Sequence, residues 1–111
     1  VSDEKARRVG LNEALFRQVN EEIRSLTDTF GEDLPTMTVV CECGLSDCAE
    51  QIQVEVSEYE RIRADGRMYM VAPGHVFPEL ETVVESHDGW EVVQKHEGTP
   101  AELAQELDPR A

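Results

Sequence analysis

From Asn12 the chain reads as a helix. Phe16, Val19, Ile23, Leu26 and Phe30 recur at alternating spacings of three and four, which sets them on one stripe. Asn12 can cap the first turn, Glu13 and Arg17 form an i,i+4 pair, and Gly31 supplies a stop. The stripe predicts packing on a sheet, with a dimer seam as the other reading. Residues 1–11 are charged and hold Gly10, so a flexible N-terminus is expected there, with 12–111 forming a single domain.

After Pro35 the period falls to two. Residues 36–41 are rich in Thr and Val, and residues 51–56 alternate polar and apolar positions without a fault, so two strands are expected. The simplest arrangement pairs them antiparallel, with the intervening cysteine segment at the tip. Ser57 and Glu60 form a capping box for a short helix ending at Gly66. Residues 67–72 read as a strand closed by Pro73-Gly74. Asp88-Gly89 lies between Val-rich runs and predicts a hairpin joining 82–86 to 90–95, although a helix from Pro78 also fits part of that stretch. Thr99, Pro100 and Glu102 open a last helix closed by Pro109. The expected fold class is α+β: an N-terminal amphipathic helix, a small mostly antiparallel sheet with a turn at the tip of a strand pair, and short helices.

Composition narrows the function classes. The 111 residues carry a formal net charge of −14. Residues 1–30 hold five basic and six acidic side chains, which leaves a net of −13 in the rest. Such a surface repels phosphate backbones and anionic membranes, so direct nucleic-acid binding and membrane docking are not expected. No apolar run reaches the length of a membrane span, and no secretory leader is expected. Only three Phe, two Tyr and one Trp are present, so the core must rest on aliphatic side chains and would gain from a cross-link.

That cross-link has a candidate. All three cysteines, Cys41, Cys43 and Cys48, fall within eight residues, an odd count that suits a metal or thiol role in a reducing compartment better than a disulfide framework. Zinc takes four ligands at tetrahedral corners, and Gly44 can let the chain bend back so that Cys48 joins the first two sulfurs. His75, just beyond the Pro73-Gly74 turn, is the first choice for the fourth ligand; His87, His96, Asp47 or a water are the alternatives. With water in that corner the site would be catalytic, with Glu42, Asp47 or Glu50 as base. Without metal, Cys43 and Cys48 could close a disulfide and act as a redox switch. The motifs of zinc deaminases and zinc proteases are absent.

The stretch Asn12-Glu13-Ala14-Leu15-Phe16-Arg17, the box Cys41-Glu42-Cys43-Gly44 with Cys48, Glu58-Tyr59, and Val71-Ala72-Pro73-Gly74-His75 together resemble a family of small, uncharacterised bacterial proteins. The resemblance covers most of the chain, implies a bacterial cytoplasmic protein and favours His75 as the fourth ligand. It brings no activity with it. The expected function is therefore a zinc-binding, acidic regulatory or protein-interaction module whose partner is another protein, with a homodimer through the N-terminal helix left open. An enzyme with an open zinc site and a thiol-based redox regulator stand as alternatives.

Overall fold

The structure, a computed structural model, describes residues 3–29 and 36–110. It is α+β: α1 (Asp3–Thr29), β1 (Thr36–Val40), β2 (Gln51–Glu55), α2 (Val56–Arg63), β3 (Met68–Val71), β4 (Glu81–His87), β5 (Trp90–Lys95) and α3 (Thr99–Glu106). The strands form two antiparallel sheets rather than one, β1-β2 and β3-β5-β4. A main-chain bond from Glu42 N to Met70 O, 2.8 Å, links the first sheet to the second. The hairpin expected at Asp88-Gly89 joins β4 to β5, and Gly89 takes the positive φ, 85°, that such a tight turn requires.

Alternation along the strands produces the core. Met37, Val39, Ile52 and Val54 turn inward from β1 and β2, and meet Tyr69, Met70, Val92 and Val93 of the second sheet with Tyr59 and Ile62 of α2. Cys41 and Cys43 continue the inward parity of Met37 and Val39, so they belong to this cluster as well.

α1 departs from the expected pattern. It begins at Asp3, so residues 3–11, read as a flexible lead, are its first turns, and Asn12 lies inside it instead of capping it. Val19 and Leu26 of the apolar stripe are exposed, Phe16 and Ile23 are half-buried, and Phe30 and Gly31 lie outside the described residues. The buried face is instead Ala6, Val9, Gly10, Glu13, Arg17 and Asn20. Arg17 and Asn20 are buried because main-chain groups there need partners, and Glu13 is buried against the Lys95 ammonium. The Arg17 guanidinium donates to Gly66 O at 2.8 Å and to Met68 O, and lies 3.6 Å from the centre of the Tyr69 ring. Asn20 acts as a surrogate strand neighbour: its side-chain amide donates to Val40 O and accepts from Val40 N, both at 2.8 Å.

Neither capping box forms. α2 starts at Val56 after Glu55, α3 starts at Thr99 after Gly98, and no side chain caps either end. Pro100 still falls in the first turn, where its missing N–H costs nothing. The tail is tied down by Arg63, which is fully buried between Glu21 and Asp108, while Arg110 reaches Glu21 and Glu60.

Candidate metal centre

Cys41 extends β1 by one residue, its N–H donating to Glu50 O at 2.9 Å. Side chains alternate there, so Cys41 and Cys43 share a side while Glu42 takes the other. Both Glu42 oxygens are engaged, one by Met70 N at 3.0 Å and the other by the Asn20 amide at 2.8 Å. A turn over residues 45–48, with Cys48 N donating to Leu45 O at 3.0 Å, returns the third sulfur. The loop sits against α1, where Asn12 donates to Gly44 O at 2.9 Å.

Gly44 serves this docking rather than the bend expected of it. Its φ is not positive, but a methyl group on it would run into Val9 Cγ1 and lie 3.1 Å from Phe77 Cε2. Gly44→Ala is therefore expected to lose about 1–3 kcal/mol by overpacking. A thermal midpoint lowered relative to the wild type would check it.

His75 arrives from the other sheet. β3 ends at Val71, and Ala72-Pro73-Gly74-His75 forms a turn closed by His75 N donating to Ala72 O at 3.0 Å. Proline at the second position and Gly74 at φ 84° are the combination a type II turn demands. Gly74 N also donates to Glu91 Oε1 at 2.9 Å, which ties the turn to β5. His75 Nδ1 comes to 3.6 Å from both Cys41 Sγ and Cys48 Sγ. The three sulfurs and an imidazole nitrogen all lie within 4.8 Å of one another.

That spacing has a chemical meaning. Zinc bonds of about 2.3 Å to sulfur and 2.0–2.1 Å to nitrogen, held at the tetrahedral angle, place sulfur and nitrogen about 3.5 Å apart. Main-chain amides already point at the sulfurs: Ala72 N donates to Cys41 Sγ at 3.1 Å, the Cys43 amide also serves Cys41, and the Leu45 amide serves Cys43. Burial pushes the Cys41 and Cys43 thiols up from their ordinary range; the amides pull them down, and the Cys48 sulfur raises both again. A dication among the sulfurs would reverse that balance in favour of thiolates. The group could hold a metal ion, and with all four as ligands no corner would remain for a substrate.

The structure thus brings Cys41, Cys43, Cys48 and His75 together and leaves the other candidates apart. His87 stacks on Trp90 with ring centres 4.1 Å apart, and His96 lies 2.8 Å from the Thr82 hydroxyl. Glu42, with both oxygens engaged, is not free to serve as a base, while Asp47 and Glu50 are exposed. A groove of about 610 Å³ runs along β2 and the β4–β5 turn, and none of the four ligands lines it. No helix among the described residues is long and apolar enough to cross a membrane.

The sequence reading missed a second cluster. Lys95 is buried between two carboxylates, its Nζ 2.7 Å from Glu13 Oε1 and 3.0 Å from Glu81 Oε2. Burial first, and then the Glu81 charge, drive the Glu13 carboxyl well above the usual carboxylate range against the pull of Lys95. The i,i+4 spacing read Glu13 as the partner of Arg17 and hid this role.

Comparison with known proteins adds no lineage: no family model, no curated protein and no solved structure matches the chain.

Proposed function

We propose that the protein is a zinc-binding, acidic regulatory or protein-interaction module of the bacterial cytoplasm, with Cys41, Cys43, Cys48 and His75 holding one structural zinc ion. One observation carries the reading: a histidine from one sheet stands 3.6 Å from two sulfurs of a loop on the other, within a set of four ligand atoms. Soft sulfur donors with one imidazole suit zinc among the divalent ions. The closed ligand set supports a structural role over catalysis. The net charge of −14 supports a protein partner with a basic face over one rich in phosphate.

Elemental analysis of the purified protein is the direct test, with one zinc per chain expected. Cys48→Ser and His75→Ala should each surrender the ion to a competing chelator at least about tenfold more readily, since even outer-shell partners of metal ligands cost 10–100-fold in affinity. Protein that carries no metal and takes up no added zinc would overturn the assignment.

A further inference from the structure

The outward face of α1 is apolar where a solvent face should be polar. Leu11, Leu15 and Leu26 are 56%, 61% and 57% exposed, and Val19 is 37% exposed. With 3.6 residues per turn, these four fall on one line of the helix, on the side opposite Val9, Glu13, Arg17 and Asn20. Arg8 and Glu22, both exposed, complete the line at its two ends. We propose that this line is a self-association surface, and that a second copy of the chain packs its own α1 against it in antiparallel orientation.

The order of the side chains supports that occupant and that direction. Turned end for end about Leu15, the line maps onto itself: Leu15 meets Leu15, Leu11 meets Val19, and Arg8 meets Glu22 on both flanks. Leu26 falls opposite residue 4, where the methylene stem of Glu4 can cover it. A parallel pairing would instead set Arg8 against Arg8 and Glu22 against Glu22. Symmetric pairing of one patch with itself is the isologous contact of a two-fold dimer.

Charge also selects α1 over other faces. Residues 1–30 carry a net of −1, while the remainder carries −13, so two copies repel least when they meet through this helix. The intervals also suit two long helices. Residues 8 and 19 repeat at eleven, as do 11 and 22, and 15 and 26, a period that keeps the line nearly straight along the axis.

Sedimentation equilibrium of the full chain tests the proposal. The wild type should sediment at twice the 12.5 kDa chain mass. Leu15→Glu, which sets two carboxylates face to face at the centre, should raise the dimer dissociation constant at least about thirtyfold, as loss of a central hot spot does. Far-UV circular dichroism should be unchanged, because residue 15 is solvent-exposed. Arg8→Glu should weaken the dimer about tenfold and the double variant Arg8→Glu/Glu22→Arg should restore it. This charge-swap pair decides the matter alone should Leu15→Glu fail to fold. A monomeric wild type, or a dimer indifferent to Leu15→Glu, overturns the surface. Failure of the double variant to restore what Arg8→Glu weakens overturns the antiparallel register.

Discussion

Stripping the proposed zinc ion with a strong chelator is expected to melt the β1–β2 pair and to abolish the cooperative thermal transition of the whole domain. The segment between those strands folds around the four ligands, and its two innermost sulfurs, those of Cys41 and Cys43, are buried. With no ion among them, burial would keep those thiols protonated, and no charge would hold the sulfurs and the His75 ring together. Structural zinc contributes roughly 10–16 kcal/mol of apparent binding free energy in small peptides at neutral pH. A domain of this size has only about 5–15 kcal/mol of net stability. The loss is therefore of the same size as what the fold holds in reserve. His75 is the long-range arm of the cross-link, 34 residues from Cys41, so its release also frees the β3 end from the cysteine loop. Circular dichroism melts with chelator, and again after zinc is returned in excess, measure the effect. A melting curve that the chelator leaves unchanged would remove the structural role.

Why the cluster of three cysteines and His75 could be read from the sequence, and the buried face of the N-terminal helix could not, has one physical explanation. Metal-binding side chains are specific to residue type, so three cysteines in eight residues and a histidine after Pro-Gly mark a candidate cluster whatever surrounds them. The strands were equally open to reading, because a half-buried strand writes its burial as alternation. Residues 51–55 run exposed, buried, exposed, buried, exposed, as their side-chain types demand. Along α1 the same logic selected the wrong face. Burial there follows from hydrogen bonding at long range: Arg17 serves carbonyls 49 and 51 residues away, and Asn20 serves an edge 20 residues away. Hydrophobicity cannot signal such partners. Two cues were present nonetheless. Ala6 and Gly10 mark close approach, and a methyl on Gly10 would meet Leu103 Cδ2 at 2.6 Å. The capping boxes failed for a different reason. A Ser or Thr three residues before a Glu is a local preference worth about 1 kcal/mol. A preference that small does not decide where α2 and α3 begin.

Lys95→Met is expected to be the most damaging substitution outside the metal centre, at a cost of about 3–5 kcal/mol. Methionine matches the length of the lysine stem and is compatible with its buried place on β5, so the loss isolates the charge from the packing. What remains is Glu13 and Glu81, both fully buried and both robbed of the ammonium group between them. Glu81 keeps the Phe77 amide, at 3.0 Å, as a donor to Oε1. Glu13 Oε2 has no hydrogen-bond partner among the described residues even with the lysine in place. Glu13 should therefore answer by taking up a proton, and this gives the variant a pH signature. Burial and the Glu81 charge already hold the Glu13 carboxyl above its unfolded range, and Lys95 is what opposes them. A group whose folded pKa is raised binds more protons in the native state than in the unfolded one. Its contribution is complete below the unfolded carboxylate range, and it fades as pH rises through the folded value. Removing Lys95 raises that value further, so the deficit of Lys95→Met against wild type should be smallest in acid and widen as pH increases. Glu13→Gln on the Lys95→Met background should recover part of the loss and flatten the slope, because the two changes act on one cluster and cannot be additive. Denaturant midpoints of the wild type and both variants across the acid-to-neutral range provide the measurement. A deficit that did not vary with pH would mean that the two carboxylates do not share their charge through Lys95.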